Sequence, residues 1–408
     1  MLDLEFGGLF AVAAVAFVIP FLLGFAPRLR VPASVLEVAA GIVIGPALLG
    51  WVSPDLAVRV FSLLGLAFLL FFAGLEIDFD HLRGRPLQLT LLGFAVSLAL
   101  AFGFASGLGA IGLIGSPPLT AIILSATALG VVIPVLKDAG RIGGVFGQTV
   151  IAGATIADLG TVVLLSLFFS RASKDASAQL VLIGLLIVLA AVVTTFVIRA
   201  ARGERVERVL TRAQETTDQL RVRGAVLLLL GFVAVAERLG LELILGAFVG
   251  GVVFAAADKG RTASHPKLAQ KLEAVGYGVF VPVFFVTSGL TFDLHSLLGS
   301  PAALAQIPVF LLGLLLVRGL PALLYRPLLN RSEVAAAGFL QATSLSFIVI
   351  GVQLGLALKL LEPATGAALI AAGMLSLLLF PLFALLILGR NSVPSSQAAV
   401  PLEVRDAH

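Results

Sequence analysis

Apolar residues in this chain run in long blocks. They show neither the alternation of a half-buried strand nor the single stripe of a surface helix. From Phe6 to Phe25 no charged residue interrupts the run, and about 20 such residues are what a helix needs to cross the hydrocarbon core of a bilayer. The same reading along the chain predicts about thirteen spans. The first seven lie near 6–26, 34–50, 58–76, 87–110, 117–137, 144–169 and 178–199. Six more follow near 224–237, 241–257, 270–290, 302–325, 333–356 and 364–389. Composition agrees: the chain is 59% hydrophobic and 12% charged, against about 25% charged in soluble domains. The expected fold class is therefore an all-α polytopic membrane protein.

Charge sorts the loops between these spans. With the N-terminus outside, 21 of the 27 Lys and Arg residues fall on the cytoplasmic side and 5 on the outer side, with Arg318 left inside a span. Basic loops stay cytoplasmic, so an odd span count with a cytoplasmic C-terminus follows, in a cell (inner or plasma) membrane. The net charge of +4 is scattered over these loops and gives no footprint for nucleic acid. Asp3 and Glu5 stand where a signal peptide would be basic, so the first run reads as a span and not as a cleavable signal. The chain has no Cys, which excludes thiolate metal sites and Cys nucleophiles. Its four His residues, His81, His265, His295 and His408, lie in predicted loops or at the terminus without ligand spacing. No cofactor is expected.

The polar stretch 200–223 reads as an amphipathic cytoplasmic linker with its arginines at lipid headgroups. The tail 391–408, rich in Ser, Pro and Ala, reads as disordered. Between them the chain divides into 1–199 (spans 1–6 plus a linking seventh) and 224–390 (spans 8–13).

The two parts repeat. Leu36, Glu37, Gly41 and Gly45 recur at the same spacing as Leu241, Glu242, Gly246 and Gly250. Gly74, Leu75 and Asp78 recur as Gly289, Leu290 and Asp293, and Ala126-Thr127-Ala128-Leu129 as Ala342-Thr343-Ser344-Leu345. The offsets of 205, 215 and 216 keep order. In the charge-derived topology each matched pair runs in opposite directions, so the expectation is two inverted six-helix repeats. Interrupted helices in corresponding places of such repeats mark binding sites. The fifth span carries SATALGVVIP (125–134) and the twelfth LQATSLSF (340–347), where Gly, Pro and clustered hydroxyls weaken a continuous helix. Both are expected to break and to cross, with helix ends and backbone carbonyls facing each other at mid-membrane.

Asp158 stands in the middle of VIAGATIADLGTVVLLSLF (150–168). A carboxylate at that depth is costly and is a site by default. Burial disfavours its bare charged form and a nearby cation favours it, so proton and cation can compete for it. Thr127 and Thr155, with carbonyls of the broken helices, supply hard oxygen ligands, and an alkali cation held by Asp158 and Thr127 is the expected metal interaction. Arg318 has two readings: it snorkels to the interface, or it caps the negative ends of the broken helices or pairs with a carboxylate. Gln148, Gln341, Thr343 and Ser344 are candidate orienting groups. Glu37 and Glu242 belong to the repeated motif and have no assigned role. Glu76, Asp78 and Asp293 sit at span ends, where they are structural or attract cations.

At these residues the chain resembles the monovalent cation:proton antiporter-2 family, which includes Kef-type potassium–proton and bacterial sodium–proton exchangers. SATALGVVIPVLKDAG (125–140) is similar to its crossing-helix signature and GQTVIAGATIADLGTVVLL (147–165) to its ion-site helix. PASVLEVAAGIVIGP (32–46), FFAGLEIDF (71–79) and FFVTSGLTFDL (284–294) are similar to three more. The resemblance spans about residues 5–390. It implies a homodimer in which a core bundle (spans 4–6 and 11–13) slides against a dimerisation bundle. It also implies Asp158 as the ion-binding aspartate, Thr127 as the crossing-helix threonine, and exchange of Na⁺ or K⁺ for H⁺. Members often carry Asp, Asn or Gln before the key aspartate, where this chain has Ala157. That departure favours one-for-one, electroneutral exchange. A channel-like protein or a solute/cation symporter of the same fold is the alternative. An intramembrane protease is excluded, since there is no second mid-span Asp and no His within a span.

Overall fold

Each expected span coincides with helix in the computed structural model, which describes residues 6–25, 32–75, 84–142, 144–169, 176–201, 219–258 and 266–389. The helices are α1 (Phe6–Phe25), α2 (Ala33–Ile44), α3 (Leu56–Leu75), α4 (Gly84–Ala110), α5 (Pro117–Leu124), α6 (Leu129–Asp138), α7 (Val145–Phe169) and α8 (Ala176–Ala201). They continue as α9 (Leu220–Arg238), α10 (Leu243–Asp258) and α11, which runs from Pro266–Val275 through a π turn at Gly276–Phe280 into Val281–Leu290. Then come α12 (Pro301–Leu314, wound as π over Leu315–Gly319 and as 3₁₀ over Leu320–Tyr325), α13 (Arg331–Ala342), α14 (Ser346–Ala357) and α15 (Pro363–Gly389).

Among the described residues, eight helices are long and apolar enough to cross a membrane, and four shorter apolar ones accompany them. α9, with Arg221 and Arg223 in its first turn, falls in neither group. Thirteen crossings therefore remain an expectation, while the all-helical membrane architecture holds. The second span ends earlier than its apolar run: α2 stops at Ile44, because Gly45 and Pro46 end helical bonding and the chain turns. Most of the linker (202–218) and the tail 391–408 lie outside the described residues, as do Glu76 and Asp78.

The helices pack as two groups. One gathers α1, α2, α3, α9, α10 and α11, with α8 against α10. The other gathers α4–α7 with α12–α15, and α7 lies at the seam where it touches α3, α8 and α10. Within the first group the two halves of the chain meet backbone to backbone. A methyl on Gly41 of α2 would overlap the Val286 carbonyl and Gly289 of α11, and one on Gly289 would overlap the Val38 carbonyl and Gly41. Gly74 of α3 and Gly251 of α10 obstruct each other in the same way. Gly74 and Gly289 are the repeat-related glycines of the sequence, so each half contributes the same contact to the other. Aromatic stacking fills the space beside it: Phe68 on Phe280 at 5.1 Å and Phe72 on Tyr277 at 4.8 Å between ring centres, a packing geometry worth about 0.5–1.5 kcal/mol per pair.

Candidate ion-binding site

Both expected interruptions are present. Helical bonding stops after Leu124 and resumes at Leu129, and it stops again after Ala342 and resumes at Ser346. Hydroxyls explain part of this locally: Ser125 Oγ donates to the Ile122 carbonyl at 2.8 Å and Thr343 Oγ1 to the Phe339 carbonyl at 3.1 Å. Such bonds offer the backbone an alternative to the helix ladder. The unwound segments cross and bond each other, with the Ala128 N–H donating to the Thr343 carbonyl at 2.7 Å. Four helix ends, the C-termini of α5 and α13 and the N-termini of α6 and α14, therefore meet within one small volume. Their partial charges are those an ion site needs.

Arg318 joins the crossing to its neighbours. It is 1% exposed, and its guanidinium bonds groups inside the protein and does not extend to the surface as snorkelling requires. Its Nε donates to Thr127 Oγ1 (3.0 Å), Nη1 to Ser97 Oγ on α4 (3.1 Å) and Nη2 to the Gly153 carbonyl on α7 (3.2 Å). Thr127 Oγ1 donates in turn to the Gln341 carbonyl at 2.8 Å, in the last turn of α13, and Ser97 Oγ to the Val317 carbonyl at 2.5 Å. A buried guanidinium is tolerable only when its planar fork is satisfied in this way. The π turn of α12, at Leu315–Gly319, carries the arginine inward at this level; such turns recur at functional sites.

Asp158, 3% exposed, lies on α7 five residues beyond Gly153, about 7.5 Å along the helix. With Thr127 and Ala128 of the first break, and Leu129 and Gly130 at the start of α6, it lines a cavity of about 310 Å³ between the two helix groups. Ser346, Phe347 and Ile350 of α14 complete that wall. The opposite wall comes from α2 (Ser34, Glu37), α3 and α11 (Tyr277, Phe285). That volume holds on the order of ten waters, enough for a cation to keep part of its hydration while it approaches.

The other expected site residues separate. Thr155 is buried one turn before Asp158 but is not among the cavity-lining residues. Gln341 reaches the crossing through its carbonyl, while its side chain donates to the Tyr325 hydroxyl at 3.0 Å. Thr343 contributes its carbonyl. Ser344 is locked by Ser376 of α15, which accepts from its N–H (3.1 Å) and donates to its carbonyl (2.9 Å). Gln148 is exposed in the first turn of α7, ten residues or about 15 Å from Asp158, so it is not brought to the site. Glu242 precedes α10 and does not line the cavity, whereas its repeat mate Glu37 lies inside α2 and does. Asp293 caps the short turn Leu294–Leu298, accepting from the Ser296 N–H and hydroxyl. These bonds, the hydroxyl's first, hold its carboxyl below the usual range, which makes it structural.

Ser97, Tyr325, Ser376 and Gly153 were missed from sequence. One signal was available for Tyr325: the chain has only two tyrosines, and they are Tyr325 beside the crossing and Tyr277 in the cavity. Gly153 permits the approach, since a methyl there would overlap the Gln341 amide and meet the Tyr325 hydroxyl.

Crossed broken helices around a buried aspartate define a secondary-transporter architecture. The chain belongs to the sodium/hydrogen exchanger family, whose transmembrane model matches residues 13–385, and proteins of that family exchange monovalent cations for protons. It is 30% identical over 393 residues to the putative Na⁺/H⁺ antiporter YjbQ of Bacillus subtilis, a match covering 92% of this chain and 62% of that protein. It is 26% identical over 371 residues to a Na⁺/H⁺ antiporter of Enterococcus hirae, covering 87% and 91%. The fold is similar to that of the sodium proton antiporter MjNhaP1 of Methanocaldococcus jannaschii, with a TM-score of 0.64 and 18% identity over 94% of this chain and 99% of that one.

Proposed function

We propose that this protein exchanges a monovalent cation, Na⁺ or K⁺, for H⁺ in electroneutral, one-for-one fashion, with Asp158 carrying the two in turn. The observation that supports this most is a buried carboxylate, Asp158, beside the crossing of two broken helices and lining a cavity of about 310 Å³. A bare carboxylate is expensive in low-dielectric surroundings, so the transporter changes sides only when Asp158 is neutralised by a proton or a cation. Thr127, Ala128 and the carbonyls of the crossing are suited to sharing the cation. Ala157 in place of a second polar residue leaves Asp158 as the one carboxylate on α7, for one transported charge.

Access alternates as the group α4–α7 and α12–α15 shifts against the rest, with the seam at α7. The charge distribution puts the first residues of α2 at the cytoplasmic side, so the cavity described above is the inward-facing one. The protein would work as a homodimer in the cell membrane, with its N-terminus outside and its C-terminus cytoplasmic. In proteoliposomes, Na⁺, K⁺ and Li⁺ supplied in turn should drive proton counterflow with no dependence on membrane potential. Asp158→Asn should abolish that flux while the protein stays monodisperse. Cation-coupled proton flux that persists in this variant would refute the assignment, and cation leakage without a proton gradient would point to a channel.

A further inference from the structure

Glu37 is 5% exposed and sits four residues into α2, about 6 Å along the helix. It faces the same cavity as Asp158, which lies thirteen residues, about 20 Å, into α7. The two carboxylates therefore enter the cavity from opposite helix groups and at different depths. Among the described residues no hydrogen bond or ion pair satisfies Glu37, although a carboxylate so enclosed normally has a partner. Among the described residues, α1 and the Val281–Leu290 part of α11, which pack against α2, contain no charged side chain, and Arg59 of α3 is exposed and bonded to the Pro54 carbonyl. The other ionisable groups lining the cavity are Asp158 and Tyr277. Ser34, one turn before Glu37, and Tyr277 add hydroxyls on the same wall.

The repeat argues against a purely architectural role. Glu242 occupies the equivalent motif position yet lies outside both its helix and the cavity. Packing of the LE-(x)3-G-(x)3-G motif therefore does not require the glutamate to face a cavity. What distinguishes Glu37 is that it lines the same cavity as Asp158.

We propose that Glu37 is a second cation-binding carboxylate, a waiting site where the transported monovalent cation is held before it passes to Asp158. The proposal rests on Asp158 being the transport site. A hydrated alkali cation at Glu37 neutralises the enclosed charge and keeps waters from the cavity, with hydroxyl oxygens of Ser34 and Tyr277 at hand. Because Glu37 belongs to the group opposite α7, it collects cations without moving with the transport site.

The test is kinetic. Glu37→Gln should raise the cation concentration for half-maximal proton exchange about tenfold and leave the maximal rate within about twofold, the signature of lost binding without lost turnover; Glu37→Asp should restore most of the affinity. An unchanged half-maximal concentration, or complete loss of exchange in folded Glu37→Gln, would overturn the proposal. A second measurement needs no variant at residue 37. In Asp158→Asn, where the transport site is disabled, Na⁺ or K⁺ should protect Glu37 from a hydrophobic carbodiimide, read by mass spectrometry. Carbodiimide labelling that cations leave unchanged would also overturn it. If Asp158→Asn still exchanges, the transport-site reading itself fails, which is a different result from either of these.

Discussion

The two helix breaks are equivalent by repeat, but they are held in different ways. The first, residues 125–128, is tied through Thr127 to a buried arginine and lines the cavity with Thr127 and Ala128. The second, residues 343–345, is bolted by Ser376 to α15 and gives the cavity only the start of α14. Under the proposed function, the first break is the working one and the second supports it. The buried charge and the cavity coincide at the first break, and the second is joined to it through the bond from Ala128 to the Thr343 carbonyl.

That contrast can be broken by substitution. Arg318→Ala should have the largest effect, because it removes three hydrogen bonds from a charged donor, each worth about 1.5–3 kcal/mol. Thermal unfolding in detergent should show a loss of several kcal/mol of stability, and exchange should be lost; Arg318→Lys, lacking the planar fork, should recover stability only in part. An alanine variant with wild-type melting and flux would show that the first break is not held by charge. Next comes a matched pair. Thr127→Ala should raise the half-maximal cation concentration severalfold, since it removes the hydroxyl that holds the cavity-lining break against Arg318 and the Gln341 carbonyl. Ser376→Ala should instead lower stability by about 1–3 kcal/mol, for two backbone groups left unsatisfied, with affinity unchanged. Swapped outcomes would reverse the roles given to the two breaks. Smallest is Tyr325→Phe, which removes one neutral bond to Gln341, worth about 1 kcal/mol, and should leave exchange intact. If it alters transport, the supporting break is also a working one.

Much of this was legible before any coordinates. Asp158 and both interruptions stood out because a charge or a hydroxyl cluster is rare inside an apolar span, and the repeat made the interruptions corroborate each other. Single hydroxyls such as Ser97 and Ser376 carried no such signal, since a lone serine in an apolar helix equally well bonds its own preceding turn. Gln148 is polar and lies on the helix of Asp158, but ten helical residues between them span half the bilayer core. Glu37 and Glu242 read alike because the motif does not say where a helix begins. Tertiary packing starts α2 four residues before its glutamate and α10 one residue after.

The glycine seams of the first helix group carry a mechanical consequence. Where Gly41 meets Gly289 and Gly74 meets Gly251, main chains touch without intervening side chains, and no rotamer can flex to absorb a displacement. Such joints are stiff in compression, so force applied at the α7 seam has nowhere to dissipate within α2, α3, α10 and α11. In the exchange cycle proposed above, that group serves as the fixed partner against which its neighbour slides.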